Sequence, residues 1–484
     1  MTSIGQRAVL FIDNGGFNIK AMYLPPSFKT PVFLTVPNCV GANAHVGRGI
    51  IGEQMHQLPQ YHGFLVRRPV DRGFIVDINL QVRVWEYVLQ YFGIANEQDT
   101  DLWLTTPFGA PKAVASVLHH LLTVKFHFRA VTFVSSSFLV LLCYESTAHR
   151  WAESHINTSD MHGKTRKRTR GGNVMKSGCG VLVDLGFSHT TLVPYIGYNP
   201  VYSSIIRIDI GGKLLTNRLK EHISFTQTNL TEDSWLVNHI KERCCRVAMH
   251  PREELKQCCE TAGTSRVKVG SGLEGKAQSS AVVYYLPAVP ALHPLGCLST
   301  ELPKSFIQTQ SQEKECDEST HLPSLCLNQE CFLIPELLFT PSDVGLDQMG
   351  LVQALTSAIP RRGMLEQMQM MTDVVMSNIY VFGGVSQCPN LVERLRREVQ
   401  EILPDSIVPC PTLICSTLLE KSTLKREKEN ASLLPLCGAK IILVGNDVNM
   451  RKWRKMARRR ATIVISGHKR ITESDIYEKL QNIA

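Results

Sequence analysis

AVLFIDNGGF at residues 8–17 and GCGVLVDLGF at residues 178–187 state one phrase twice. Each is a short apolar run that ends in aspartate, one residue, then glycine. Such a run reads as a buried strand entering a tight turn, with the carboxylate at the strand's C-terminal mouth. Two hairpins facing each other across a cleft would bring Asp13 and Asp184 together, with glycine N–H groups free on either side. That combination suits a divalent cation bridging phosphates, because magnesium prefers few carboxylates plus phosphate oxygens and water, and backbone nests hold anions. Either copy alone is an ordinary strand-turn; the pair gains weight from a third element. In NIYVFGGVSQCPNLVERLRREVQEIL (378–403) a strand ends in Gly383-Gly384 and Pro389 opens a strongly amphipathic helix. Paired glycines let a flat ring or a ribose approach the backbone closely.

The segments between these pieces alternate. Lys20 stands seven residues past Asp13, placed to reach phosphate from the returning strand. PVFLT (31–35) continues a meander, and a polar, glycine-containing stretch at about 36–71 reads as a small accessory subdomain. RGFIVDINLQVRVWEYVLQYFG (72–93) predicts a helix entered from Asp77, with Leu80, Val84, Tyr87, Val88 and Tyr91 on one face. Strand 101–106, a helix from about 111, strand 129–134 and an apolar helix near 137–146 complete a first lobe over 1–150, α/β with a mostly parallel sheet. Residues 151–177 hold Lys164, Arg166, Lys167, Arg168 and Arg170 without apolar periodicity, which reads as a disordered loop: a solvated charge run or a nuclear-import signal. The second lobe, 178–411, has helices after RIDIGGK (207–213) and over LVNHIKERCCRVA (236–248). Pattern is then lost, and an irregular insertion is expected at about 255–330. The GSGLEG inside it (270–275) lacks the following helix and acidic residue of a dinucleotide site and reads as a flexible loop.

The totals constrain class more than function. A chain of 484 residues exceeds one comfortable core, so two or more lobes are expected. Fifteen cysteines without any Cys-x-x-Cys, behind a start that lacks a signal-peptide pattern, point to reduced thiols in cytosol or nucleus and to no cysteine metal site. No apolar run approaches the ~18 residues that span a bilayer, so no membrane partner is expected. The net charge of +9 is concentrated in two runs, 164–170 and 450–460. In the second, Arg451, Lys452, Arg454, Lys455, Arg458, Arg459 and Arg460 would form a dense positive stripe if helical, suited to salt-sensitive, sequence-independent DNA contact; a solvated charged face is the plainer reading.

Asp-x-Gly twice, followed by strand–Gly-Gly–helix, resembles the nucleotide signature of the actin-like ATPase superfamily. Within it, IPELLFTPSDVGLDQMG, IIRIDIGGKLLTNRLKEHIS, RGFIVDINLQVRVWEYV and the Pro37-Asn38-Cys39 triplet resemble the nuclear actin-related proteins, over residues 8–410 apart from 150–177 and 255–330. The resemblance implies an actin fold: two lobes, each on a duplicated RNase H-like βα core, around a central cleft for ATP or ADP with magnesium. It implies that Asp13, Asn14, Gly15 and Gly16 form the first phosphate loop with Lys20 as its lysine, and that Asp184 and Gly186 belong to the second. Lys241 and Glu242 would line the adenine side, Gly383 and Gly384 the adenosine loop, and Asp13 and Asp184 would hold the metal through water.

The departures from that pattern matter as much. Phe17 replaces a loop glycine, while Leu185 and Phe187 replace serine and aspartate in the second loop. The water-orienting glutamine of actin should lie near 136–138, which read Ser-Ser-Phe, and the histidine seven residues past the second aspartate is Thr191. Losing both water-positioning groups predicts slow hydrolysis or none, leaving nucleotide as a structural ligand that closes the cleft. The family role so implied is a non-catalytic scaffold subunit of a SWR/SRCAP-type chromatin remodeller that exchanges a variant histone. Its partners would be remodeller subunits and the histones and DNA of the nucleosome; its location would be nuclear, with some cytoplasmic. A cytoskeletal, actin-like ATP-binding filament protein is the alternative; a small-molecule kinase lacks a candidate base. From about 412 the resemblance fades, and 412–484 reads as a divergent basic segment: a lineage-specific tail, an alternative-exon or gene-model product, or a diverged closure of the first lobe.

Overall fold

A computed structural model describes residues 7–26, 30–43, 46–56, 64–94, 97–156, 178–264, 281–287, 295–301, 323–358, 375, 378–402, 411–413, 433–444 and 462–463. The basic residues of 164–170 and 451–460, and GSGLEG, lie outside them.

In the first lobe, β1 (Ala8–Asn14) is buried from Ala8 through Asp13, as an uninterrupted apolar run must be in a sheet covered on both faces. β2 (Asn18–Leu24) returns antiparallel and sets Asp13 opposite Lys20; β3 (Val32–Pro37) continues the meander. β4 (Val40–Asn43), β5 (Val46–Ile50) and β6 (Leu65–Arg67) form a separate small sheet in the order β5-β4-β6, followed by the hairpin β7 (Val70–Asp71) and β8 (Phe74–Ile75). Helix α1 (Ile78–Tyr91) is capped by Asp77, whose carboxylate accepts from the Leu80 amide at 3.0 Å. Its buried face is Gln81, Val82, Val84, Trp85, Val88 and Leu89, and Tyr91 is 46% exposed. Of the expected face, Val84 and Val88 are buried, Leu80 and Tyr87 pack half-buried at its edge and Tyr91 is exposed, so the buried stripe is rotated away from Tyr91. Trp85 turns in because its indole N–H has a partner at Asn14 Oδ1, 3.0 Å away. β9 (Thr100–Thr105), α2 (Lys112–His120) and β10 (Ala130–Val134) follow, both strands parallel to β1. α3 (Ser136–Ile156) runs into the stretch expected as basic loop, so the helix ends six residues past the boundary expected at 150.

The second lobe repeats the plan. β11 (Gly180–Leu185) and β12 (Thr190–Ile196) are the hairpin, with β13 (Asn199–Pro200) and β14 (Ile206–Ile208) on its outer side. Then come α4 (Gly212–Thr226), α5 (Ser234–Cys244) and α6 (Pro251–Thr264). α5 stops at Cys244, short of the 248 expected, because the Arg246 and Val247 amides donate to the Cys331 and Pro389 carbonyls at 2.8 and 2.9 Å. β15 (Val282–Tyr285), β16 (Cys297–Leu298) and β17 (Ser324–Leu327) form an antiparallel sheet, succeeded by α7 (Glu330–Glu336) and α8 (Leu351–Ser357). β18 (Ile379–Phe382), α9 (Leu391–Ile402) and β19 (Pro411–Leu413) close the lobe. The sheets run β3-β2-β1-β9-β10 and β13-β12-β11-β18-β19, each an antiparallel hairpin continued by two parallel strands.

Two expectations need correction. The stretch 255–330 is not simply irregular: it carries α6 and the β15–β17 sheet, and Tyr284, Leu325 and Leu327 are buried in the second lobe's core. Strands of two to four residues are too short to display a period. The C-terminal segment is not wholly a basic tail either. α10 (Leu434–Val444) buries Leu434, Leu436, Ala439 and Ile442 against α3 and in one core with Val9 and Phe11, and β20 (Thr462–Ile463) pairs antiparallel with β10. Of the readings of 412–484, these residues act as a closure of the first lobe. Among the described residues no helix is long and apolar enough to cross a membrane.

Candidate functional site

One cavity of about 490 Å³ opens between the lobes. Asp13, Asn14, Gly15, Gly16, Lys20, Asp184, Gly186, Lys241, Glu242, Gly383 and Gly384 all line it, and so do Ser136, Ser137 and Thr191. Residues up to 371 positions apart meet there: β1 brings Asp13 from one sheet, and in the other β11 and β18 run parallel with Asp184 opposite Phe382, just before Gly383.

The first loop is held from behind. Asp13 accepts from Thr105 Oγ1 at 2.9 Å and from Lys20 Nζ at 3.1 Å. Thr105 in turn accepts from the Asn14 amide at 2.9 Å. The Asn14 side chain donates to Gln81 and accepts from Trp85, which fixes the shape of the loop. Asn38 donates to the Gly15 carbonyl at 2.8 Å. The second loop rests on α4: the Gly212 and Lys213 amides donate to the Gly186 and Phe187 carbonyls at 3.1 and 2.8 Å. That contact is what the RIDIGGK stretch supplies. Gly383 has φ +100°, and a Cβ there would stand 2.4 Å from the Leu185 carbonyl oxygen, so the third element reaches the second loop only as glycine.

Electrostatically the phosphate side of the cavity carries the Asp13 and Asp184 carboxylates and the Lys20 ammonium. Burial, then the neighbouring Asp13 carboxylate, push the Asp184 carboxyl up to about 7, against the pull of Lys20 and the 3.3 Å bond from Ser136 Oγ. A cation between the aspartates would relieve this repulsion, so the donor set fits a magnesium ion held through water, with Asp13 and Asp184 as its anchors. Such an ion would supply charge neutralisation for phosphates. Lys241 is turned inward: its Nζ donates to Gly212 O, Thr216 Oγ1 and Asn238 Oδ1 at 2.8–3.2 Å, and burial lowers its pKa. Its aliphatic stem and Glu242, which accepts from Asn238 at 2.8 Å, face the cavity wall. At the positions where water would be oriented, Ser136 is bonded to Asp184, Ser137 Oγ lies 3.0 Å from the Tyr195 hydroxyl, and Thr191 sits opposite Asp184 on β12.

The raised Asp184 carboxyl has a testable sign. Folded protein holds a proton that the unfolded chain releases above 3.8, so stability of the ligand-free protein should fall as pH climbs from about 4 to about 7. Asp184→Asn is expected to abolish that decline and to gain roughly 1–3 kcal/mol at pH 8. Thermal melts at pH 5 and pH 8 measure it; equal slopes for both proteins would mean that Asp184 is not held above its ordinary value.

Several contributors escaped the sequence reading. Thr105 sits at the C-terminal end of a strand parallel to β1, where a rule about strand ends would have found it. Arg68 and Trp235 pack against Phe17, which lines the cavity, from distant segments and carried no local signal.

Comparison with known proteins agrees with this architecture. The sequence model of the family described as Actin matches residues 5–421. The chain is 28% identical over 410 residues to the actin-like protein arp6 of Aspergillus fumigatus, covering 81% of this chain and 82% of that protein. It is 27% identical to actin-related protein 6 of Drosophila melanogaster (84% and 89% covered) and 26% identical to actin-related protein 6 of Dictyostelium discoideum (82% and 84% covered).

Proposed function

The chain belongs to the actin family, and from that membership we propose that it is a non-catalytic scaffold subunit of a SWR/SRCAP-type chromatin remodeller, supporting variant histone exchange. On this reading it works in the nucleus, with a cytoplasmic pool, and joins remodeller subunits to the nucleosome. The basic runs 164–170 and 451–460 would meet DNA phosphates, or in the first case the import machinery. ATP or ADP with magnesium would sit in the cleft as a structural ligand and raise stability by mass action.

One observation carries the non-catalytic part. The side chains at the water-orienting positions are two serines and a threonine, and the serines are already bonded to Asp184 and Tyr195. Phosphoryl transfer depends on an oriented nucleophile and on charge stabilisation, and a protein without the first has little left to contribute. Support for the scaffold part comes from similarity to proteins named actin-related protein 6 over four-fifths of the chain.

Purified protein given Mg·ATP is expected to release phosphate no faster than a blank. Turnover that disappears in Asp184→Asn would overturn the non-catalytic reading. Full-length protein recovered from nuclear extract is expected to bring remodeller subunits with it. Their absence would overturn the scaffold reading, and sedimentable polymer on adding salt and Mg·ATP would favour the filament alternative.

A further inference from the structure

The two aromatic departures in the phosphate loops are not passive losses. Phe17 of the first loop and Phe187 of the second meet with ring centroids 4.9 Å apart, and Phe17 stacks on Trp235 of α5 at 5.5 Å with an interplanar angle of 12°. The guanidinium of Arg68, which follows β6 of the small sheet, lies 4.3 Å from the Phe17 centroid, 4.8 Å from Phe187 and 5.9 Å from Trp235. Arg68 also donates to the carbonyls of Gly16 and Phe17 at 3.3 and 3.0 Å. Four segments from both lobes thus converge on one cation. Burial lowers the Arg68 pKa, and Cys39 is the other group that acts on it. No ion pair to Arg68 is present among the described residues, so ring faces and carbonyls compensate its charge. The loops touch beside this cluster: a Cβ on Gly16 would come within 2.2 Å of Ser188 Oγ.

A second set of contacts ties the β7–β8 hairpin to the same lobe. Lys213 Nζ lies 2.6 Å from Asp71, Arg207 caps the Phe74 ring at 4.7 Å and donates to the Arg72 carbonyl, and His189 fills the space a Cβ on Gly73 would need.

We infer that the cleft is held shut by the chain's own side chains, with Arg68 clasped among Phe17, Phe187 and Trp235, so that closure does not require nucleotide. Phe17 and Phe187, which replace a glycine and an aspartate of the actin loops, bridge the lobes directly. Cation–π and stacking contacts within this half-buried cluster add to one another. The inference stands whether or not nucleotide binds, and it assigns the two phenylalanines a structural role across the cleft.

Hydrogen–deuterium exchange on full-length protein stripped with apyrase and EDTA tests it, read on the amides of 64–76 and 16–19. Stripped wild-type protein is expected to protect these amides within twofold of protein given millimolar Mg·ATP. Arg68→Ala and Phe187→Ala should each speed their exchange at least tenfold, while amides of 391–402 stay protected and show that the second lobe is folded. Arg68→Lys, which keeps charge but loses the planar stack and the paired carbonyl bonds, should fall between. Rapid exchange in stripped wild type that slows only with Mg·ATP would overturn the inference, as would variants indistinguishable from wild type. Binding of a fluorescent ATP analogue, measured on the same samples, reports separately on the nucleotide reading. Protected amides without binding would sink that reading and leave this one standing.

Discussion

Arg394→Ala should destabilise the second lobe by about 3–5 kcal/mol. The Arg394 side chain is 6% exposed and its partner in α7, Glu336, 7% exposed. Nη2 lies 3.0 Å from Glu336 Oε1, and the same guanidinium donates to the Ala248 carbonyl and pairs with Glu398 one turn along α9. Truncation would strand a buried carboxylate, which costs far more than the intact pair contributes. Burial already holds the Glu336 carboxyl above its ordinary value despite Arg394. Without the guanidinium it should rise further, so the variant should lose stability as pH increases. Urea unfolding at pH 6 and pH 8 would show a larger deficit at pH 8. Pairing Arg394→Met with Glu336→Leu should recover most of the loss; no recovery would place the cost in packing and not in charge.

Gly438→Ala is the second large effect, about 2–4 kcal/mol, because its Cβ would sit 2.1 Å from the Leu139 carbonyl oxygen. Backbone cannot yield as a flexible side chain can, so α10 would lift from α3 and expose Leu436 and Ile442. The measurement is a chemical melt, with exchange of the β1 and β2 amides locating the loss in the first lobe. A variant as stable as wild type would mean that 433–444 does not close that lobe.

These two sites differ in how far the chain announces them. The acidic turns and the Gly383-Gly384 corner were legible because strand, turn and carboxylate or glycine are consecutive, so a local pattern carries the whole feature. Asn14 was legible as a loop residue but not in its role, since its amide is claimed by Gln81 and Trp85, 67 and 71 residues on. Arg68 carried no local signal: its carbonyl partners lie 51 and 52 residues away, and of its ring partners Phe187 and Trp235 belong to the second lobe. The buried face of α1 was misjudged for the same reason, since periodicity gives an apolar stripe but not which edge a tertiary hydrogen bond will draw inward. Closure by α10 is one of three readings of 412–484, and the largely apolar run of 433–444, with Gly438 and Ala439 at its centre, is the physical cue that favours it. The sheet of 282–327 was missed through brevity of its strands.

The packing of α10 on strands made at the other end of the chain sets a clock on biosynthesis. About 420 residues separate the end of β1 from the start of α10, and at ~5–20 residues per second a ribosome takes roughly 20–80 s to deliver them. Throughout that interval Val9, Phe11 and Leu139 lack part of their cover. A chain that stops before α10 would therefore release the first lobe with part of its apolar surface uncovered.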